Sequence, residues 1–281
     1  MSGPLVDILL PTHERPHTVG LAVESVRRQT VADWRLHVVG DGCDDATEAV
    51  VRAIDDPRIA FHRLPKAPGF GYANRNRVLQ ATSAPFVAYM SDDDLWFPDH
   101  LAIALAALQD EALTLVASST LAVRPPGRLD PHFFAHSWSA PGLRALRHWF
   151  LGAPNLVHRR ELFERLGYWR EDLLRFGDRE FYNRARASGL GTRLLPDRTL
   201  LRFFAQQWSP LYATLDAPPQ GAFLQRLSEP GGAERVRAAA AALHLTPAVR
   251  RTQVADFTRF LRRSGPRFLR FAWARLRSAP R

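Results

Sequence analysis

Hydrophobic and polar residues follow two different periods along the first hundred residues. Four short segments rich in apolar and β-branched residues predict strands: Val6–Leu10, Leu36–Val39, Ile59–Leu64 and Phe86–Met90. Between them apolar residues recur every three or four positions, which predicts helices over Thr18–Gln29, Ala46–Ile54 and Tyr72–Ala81. Strands that alternate with helices are typical of βαβ units. The pattern therefore predicts an α/β fold with a mostly parallel sheet.

The pattern is less regular after residue 110. Thr114–Ser118 predicts one more strand, and Phe181–Ser188 predicts one more helix. Residues 218–232 contain three prolines and three glycines, which favours a linker. Helical spacing returns over Ala233–Leu243. We therefore expect one large domain over residues 1–217, a linker, and a helical region over 233–281.

The positive charge of the chain is concentrated at its C-terminal end. The net charge is +10, and residues 246–281 hold ten arginines and one acid, so about +1 remains for everything before them. Aromatic and leucine residues interleave with these arginines at near-helical intervals, which is typical of helices in the headgroup region of anionic membranes. We expect residues 246–281 to attach the protein to the inner face of the cytoplasmic membrane. Packing of the apolar face on the domain is the alternative, and nucleic-acid binding is less favoured because no recognition motif accompanies the charge.

Cysteine content and hydropathy indicate the compartment. The single cysteine, Cys43, excludes an intramolecular disulfide framework and suits a reducing cytoplasm. No apolar run approaches the roughly 20 residues that a membrane-spanning helix needs, and the N-terminus has no signal-peptide pattern. We expect a cytoplasmic protein, either soluble or peripheral on the membrane.

Three of the four predicted strands run into polar turns. These turns are Pro11–Arg15, Gly40–Asp45 and Ser91–Asp94. In a parallel sheet they meet at one edge, where ligands of such sheets bind. Successive aspartates raise one another's pKa unless a cation compensates, and Mg²⁺ and Mn²⁺ prefer carboxylate oxygens and leave room for phosphate. The triplet Asp92–Asp94 therefore indicates a metal and phosphate site, with a solvated helix-capping turn as the alternative.

The order and spacing of these segments resemble glycosyltransferase family 2. The matching segments cover roughly residues 5–110 and are Pro11–Arg15, Val38–Asp45, Ala73–Asn76 and Tyr89–Pro98. A later segment, Gly177–Arg184, resembles the second acidic motif of the family. The resemblance implies the GT-A fold, a Rossmann-like, mixed and mostly parallel sheet flanked by helices, here with a C-terminal helical appendage. Residues 1–110 would bind the nucleotide and residues 111–217 the acceptor.

The resemblance also implies roles for the matched residues. Asp93 or Asp94 would hold a Mn²⁺ or Mg²⁺ ion on the diphosphate, and Asp178 would be the general base. The residues implied at the nucleotide are Pro11, Thr12, Arg15, Asp41, Arg75 and Asp92. The chain departs from the family pattern at Gly40 and Gly177, where the family usually has acids. It also departs at Ser91, which leaves open which aspartate binds the metal.

The implied reaction is inverting transfer of a sugar from a UDP-sugar or another nucleotide-diphosphate sugar. The acceptor would be a hydroxyl of a glycan, a lipid-linked sugar or another envelope molecule. A carboxylate would take the hydroxyl proton, and a cation would neutralise the leaving diphosphate. The Gln-x-x-Arg-Trp motif of processive synthases is absent, which favours transfer of single sugars. Two other classes stay open: a nucleotidyltransferase-like α/β enzyme, and a non-enzymatic membrane or nucleic-acid-binding module.

Overall fold

A computed structural model describes residues 3–130 and 151–244, except for the side chains of Gln206 and His244. The strands in this part of the chain are β1 (Val6–Thr12), β2 (Trp34–Asp41), β3 (Ile59–Leu64), β4 (Phe86–Tyr89), β5 (Leu95–Trp96), β6 (Leu115–Arg124), β7 (Arg128–Asp130), β8 (Leu156–Arg159) and β9 (Thr192–Phe203). The α-helices are α1 (Val19–Arg27), α2 (Asp45–Arg52), α3 (Tyr72–Gln80), α4 (His100–Ala107), α5 (Glu161–Leu166), α6 (Gly177–Ala187), α7 (Ala205–Tyr212), α8 (Pro219–Ser228) and α9 (Gly232–His244).

The described strands join in one mixed sheet in the order β3-β2-β1-β4-β8-β6-β9-β5, with β7 paired to β6. The first four strands are parallel, and their carboxyl ends lie at the same edge because Thr12 is opposite Gly40 and Asp41 is opposite Leu64. Strand β8 runs antiparallel to β4 and β6, whereas β6 and β9 are parallel. Helices flank this sheet, as predicted.

Helices cover both faces of the parallel half of the sheet. Ile8 and Leu10 of β1 pack with α1 and α4, whereas Leu9 packs with α3, α5 and α6 on the opposite face. A strand that is buried on both faces has apolar residues at consecutive positions instead of alternating ones. This explains why β1 has three consecutive apolar residues, Ile8–Leu10.

Two of the parallel strands, β1 and β2, are longer at their carboxyl ends than predicted. β1 continues to Thr12 and β2 continues to Asp41, so polar residues expected in turns still take part in strand pairing. Asp44 caps the start of α2, since its side chain accepts a hydrogen bond from the Thr47 N–H at 2.9 Å. The last residues of each strand are therefore held by the sheet itself.

Residues 218–232, expected to form a linker, contain helix α8 over most of their length. Pro219 occupies the first helical turn, where a missing N–H costs no hydrogen bond within the helix. Phe223, Leu224 and Leu227 are buried in an apolar cluster with residues of β5, β6 and β9. The glycines and prolines at the two ends of this segment obscured the apolar face between them.

Helix α9 packs on α8 through Val236 and Ala240, which confirms a C-terminal helical appendage as far as residue 244. The basic segment 246–281 lies outside the described residues. Among the helices that the structure describes, none combines the length and apolar character that crossing a bilayer requires.

A buried carboxylate joins the two halves of the sheet. Asp7 of β1 lies 3.1 Å from Nε2 of His37 in β2 and accepts hydrogen bonds from the Ala84 N–H at 2.8 Å and Arg160 Nη2 at 2.7 Å. Burial alone would raise the pKa of Asp7, but these partners outweigh it and hold the pKa below its usual value. Ionised Asp7 therefore stabilises the folded state.

We expect Asp7→Asn to lower the free energy of unfolding at pH 7 by about 3 kcal/mol, because it leaves the Arg160 charge partly buried and unpaired. A carboxyl group whose pKa is lowered by folding contributes stability above its unfolded pKa, and that contribution is lost as the pH falls through the folded pKa. Between about pH 5 and pH 3, urea unfolding should therefore show a steeper loss of stability for wild type than for the variant. Exposed Asp33→Asn is the control. Parallel pH profiles for wild type and Asp7→Asn would contradict this role.

Candidate active site

Two adjoining clefts open at the carboxyl edge of β1, β2 and β4, with volumes of about 390 Å³ and 410 Å³. Both are lined by Pro11, Phe70, Arg75, Ser91, Asp93 and Ala205. The first is also lined by Thr12, Arg15, Asp41, Lys66 and Asp92, and the second by Tyr72, Asp94, Arg175, Phe176, Asp178 and Arg202. The fold thus brings all the site residues predicted from the sequence to this pair of clefts. A larger cavity of about 630 Å³, near Arg28 and the α8–α9 turn, contains none of them.

Asp41, at the end of β2, is held by three donors. The Ala67 N–H at 2.8 Å and Asn74 Nδ2 at 2.6 Å donate to its Oδ1, and the Lys66 ammonium group pairs with its Oδ2. Burial would raise the pKa of Asp41, but these donors keep the pKa below its usual value. Asp41 is therefore an ionised carboxylate that fixes the loop after β3 and the first turn of α3.

Two glycines make room for this ion pair. Gly71 has φ +69°, and a Cβ atom there would lie 2.5 Å from Asp41 Oδ2, so only glycine fits. A Cβ atom at Gly42, whose φ is +67°, would lie 2.7 Å from the Lys66 Cβ. Lys66 was not predicted as a site residue, because no motif surrounds it. The sequence signal that could have indicated this ion pair is the two glycines, Gly42 and Gly71, which leave room for Lys66 and Asp41.

Arg75 projects from α3 between the two clefts. Its Nη2 donates to the Phe70 carbonyl oxygen at 2.8 Å, and its Cζ lies 4.9 Å from the centre of the Tyr72 ring. Its Nε is buried without a hydrogen-bond partner among the described residues. Burial lowers the pKa of Arg75, although Tyr72 and Asp178 oppose the shift, and a guanidinium stays protonated in proteins. Arg75 therefore supplies a poorly solvated positive charge with unused donor capacity.

The aspartate triplet that follows β4 divides into two kinds of carboxylate. Asp94 is buried, and its oxygens accept hydrogen bonds from Ser91 Oγ at 2.6 Å and the Phe203 N–H at 2.8 Å. Asp92 and Asp93 are only half-buried and line the first cleft. In the described part of the chain, no residue donates a hydrogen bond to the Asp93 carboxylate. Asp94 thus anchors the triplet to β9, and Asp93 offers its oxygens to the cleft.

Charge repulsion within the triplet is only partly compensated. Burial, together with neighbouring Asp94 and Asp92, raises the pKa of Asp93 well above its usual value, against the opposing charges of Arg202 and Arg15. Burial also raises the pKa of Asp92 and of Asp94. A cation beside Asp93 would relieve this repulsion.

The donor set fits a phosphate-bound divalent ion. Within residues 3–130 and 151–244, no three histidine, cysteine or acidic side chains converge closely enough to enclose a metal ion. Mg²⁺ sites that carry phosphates usually take one or two carboxylates, and phosphate oxygens and water complete the coordination. The half-buried carboxylate of Asp93 meets that requirement.

Asp178 reaches the second cleft from the start of α6. Its Oδ1 accepts a hydrogen bond from the Arg179 N–H at 2.8 Å. The preceding Gly177 donates its N–H to Tyr72 Oη at 2.8 Å, and a Cβ atom there would lie 2.5 Å from the Tyr72 ring. Packing against Tyr72 therefore explains why glycine replaces the acid that the family usually has before this aspartate.

Curated relatives match a little over a third of the chain. The chain is 32% identical over 108 residues to the UDP-Glc:alpha-D-GlcNAc-diphosphoundecaprenol beta-1,3-glucosyltransferase WfgD of Escherichia coli, covering 38% of this chain and 42% of the relative. It is 32% identical over 111 residues to the putative colanic acid biosynthesis glycosyl transferase WcaA of Escherichia coli K12, covering 38% and 39%. The matches thus span about two fifths of the length of these relatives.

Solved structures show the same fold at low sequence identity. Staphylococcus aureus TarS 1-349 in complex with UDP-GlcNAc has a TM-score of 0.58 and 18% identity, over 70% of this chain and 58% of that one. The mannosyltransferase PcManGT of Pyrobaculum calidifontis, in complex with GDP-Man and Mn²⁺, has a TM-score of 0.58 and 17% identity, over 90% and 84%. The chain therefore has the predicted GT-A fold.

The family model for glycosyl transferase family 2 matches residues 7–166. This stretch runs from β1 to the end of α5 and contains every predicted site residue except Asp178. Since it covers more than half of the sequence, the chain belongs to glycosyl transferase family 2.

Proposed function

We propose that this protein is an inverting glycosyltransferase that moves a hexose from a UDP-sugar or another nucleotide-diphosphate sugar. The acceptor is a hydroxyl of a glycan, a lipid-linked sugar or another envelope molecule. The observation that carries this proposal is that the nucleotide-side residues and Asp178 line adjoining clefts that share Arg75 and Asp93. Family membership, and a relative named for a diphosphoundecaprenol-linked acceptor, support it over a nucleotidyltransferase or a binding module.

The first cleft has the chemistry to hold a nucleotide diphosphate. A carboxylate offers about four hydrogen-bonding positions, so Asp41 can still accept an N–H of a base after its three protein contacts. We assign Thr12 to the base and Asp92 to the ribose. Arg15 and Arg75 bring positive charge to the diphosphate.

Asp93 is the residue that we assign to the divalent ion. Its carboxylate faces the cleft, whereas the oxygens of Asp94 are held by Ser91 and the Phe203 N–H, which gives Asp94 a positioning role. When bound, Mn²⁺ or Mg²⁺ supplies Lewis-acid charge that stabilises the leaving diphosphate. The Mn²⁺ in the PcManGT complex supports a metal requirement in this fold.

We assign the role of general base to Asp178, which lines the second cleft. Its carboxylate takes the proton of the acceptor hydroxyl while that oxygen forms a bond to the anomeric carbon. The bond from the anomeric carbon to the diphosphate breaks on the opposite side, and the nucleoside diphosphate leaves with the electron pair. A single in-line displacement inverts the anomeric configuration.

Replacement of Asp93 tests the metal assignment. Asp93→Ala should abolish sugar transfer and the Mn²⁺-dependent part of UDP affinity, because the ion loses its protein ligand. Titration calorimetry with UDP, with and without Mn²⁺, measures the affinity, and the melting temperature reports the fold. Asp55→Ala, an exposed acid away from the clefts, is the control. Undiminished wild-type transfer in metal-free buffer would refute the assignment.

Asp178→Asn separates proton transfer from donor binding. The amide has nearly the size of the carboxylate but cannot accept the proton, so kcat should fall by a factor on the order of 10² or more. Donor affinity should be almost unchanged. The matched control is Glu180→Gln in the same helix, because Glu180 pairs with Arg184 and does not line the clefts. A defect confined to donor binding would place Asp178 in the nucleotide pocket instead.

The basic segment 246–281 is proposed to hold the enzyme on the inner face of the cytoplasmic membrane. Each basic residue near an anionic surface contributes roughly 1 kcal/mol, so ten arginines suffice for peripheral attachment. The full chain should float with vesicles that contain anionic lipid, and a chain truncated before Thr246 should not. Equal flotation of both chains, or of neither at low salt, would refute this attachment.

A further inference from the structure

Exposed apolar side chains are found on the loops that line the second cleft. Among the described residues, the large hydrophobic side chains that stay exposed are Phe70 (51%), Leu174 (76%), Phe176 (58%) and Leu215 (40%). The first three lie on two neighbouring loops, residues 65–71 and 170–176. The loops touch, since a Cβ atom on Gly69 would lie 3.0 Å from the Leu173 carbonyl oxygen.

Phe176 combines exposure with an unfavourable backbone conformation. Its φ is 64°, in the left-handed region that favours glycine, and it directly precedes α6 and Asp178. Its ring contributes nothing to the apolar clusters of the described chain and lies under the Arg179 guanidinium, 4.3 Å away. Strained backbone conformations of this kind are found mainly at functional sites. We therefore expect the exposed Phe176 ring to contact a ligand.

Arg175 places a positive charge between these apolar side chains. It is exposed, its Cζ lies 5.9 Å from the centre of the Phe70 ring, and it lines the same cleft as Asp178. No carboxylate in the described part of the chain pairs with it, whereas Arg170 in the same loop is paired with Asp172. The Arg175 charge is therefore available to an anionic ligand.

We propose that Phe176, Arg175, Phe70 and Leu174 form the acceptor subsite. The acceptor is an amphiphile in which a sugar is joined through phosphate to an apolar chain. We assign the acceptor hydroxyl to Asp178, the sugar ring to Phe176, the phosphate to Arg175 and the apolar chain to Leu174. The order of these residues along the polypeptide then matches the order of the groups in the acceptor. A guanidinium binds phosphate oxygens in pairs, and an aromatic face packs on the C–H face of a sugar.

The subsite rests on the proposed function, since Asp178 must face the acceptor hydroxyl. A soluble sugar phosphate would share the phosphate chemistry. It would leave Phe70 and Leu174 without a contact, which favours the amphiphile.

Binding of three probes to the full chain, saturated with UDP and Mn²⁺, tests the subsite. The probes are N-acetylglucosaminyl diphosphate carrying an undecyl chain, undecyl N-acetylglucosaminide without phosphate, and N-acetylglucosamine 1-phosphate. Titration calorimetry below micelle-forming concentrations should show the first probe binding at least about ten-fold more tightly than either of the others.

Substitutions test which residues cause the preference for the undecyl diphosphate probe. Arg175→Ala should remove the preference for diphosphate, and Arg170→Ala, its matched control, should keep it. Phe176→Gly should weaken binding of both sugar-bearing undecyl probes without lowering the melting temperature, since glycine suits the left-handed backbone. This combination distinguishes loss of a ligand contact from loss of folding.

Three results would overturn the subsite: equal affinity of wild type and Arg175→Ala for the diphosphate probe, equal binding of the sugar phosphate and the amphiphile, or no binding of any probe. UDP affinity in the presence of Mn²⁺ separates these results from a failure of the proposed function. Loss of UDP binding by wild type would contradict the nucleotide site itself. Intact UDP binding without any preference among the probes would overturn only the acceptor subsite.

Discussion

The site depends on one electrostatic constraint, the crowding of carboxylates at a single edge of the sheet. Parallel pairing brings the ends of β1, β2 and β4 together, and the acids that follow them come with the strands. A carboxylate removed from water needs a partner. Asp41 has Lys66 and two N–H donors, and Asp94 has Ser91 and a backbone N–H. In the described part of the chain, the Asp93 carboxylate has no such hydrogen-bond donor, which is why we propose the metal at this aspartate.

The contacts that hold the aspartate triplet come from elements far along the chain. The bond from the Phe203 N–H to Asp94 links the last residue of β9 to the nucleotide-binding half. Gln220 of α8 donates to the Asp93 carbonyl oxygen at 3.0 Å, so the C-terminal helices also hold the triplet in place. Strand β9 and helix α8 are therefore structural components of the site, although no family motif marks them.

Features of the site that depend on local sequence could be predicted, whereas features that depend on long-range contacts could not. β1, β2 and their acidic turns were predictable because strand periodicity is local, and parallel pairing then fixes which turns meet. Arg202 and Phe203 gave no local signal, since they reach the triplet from a strand more than a hundred residues later. The sequence of α8 is typical of a linker, and only its packing on β5, β6 and β9 reveals its apolar face. The sequence pattern thus predicts where the aspartates lie, and long-range contacts determine which of their carboxylates are already hydrogen-bonded.

The contact of Gly177 with Tyr72 couples two positions that are 105 residues apart. The Tyr72 ring fills the space in which any side chain at position 177 would begin. An acid at position 177 therefore requires a residue at position 72 that is smaller than tyrosine, or a tyrosine ring that has moved. A tyrosine in its present place at position 72 in turn requires glycine at position 177. The side chain that fits at one position is thus decided by a residue far away in the sequence.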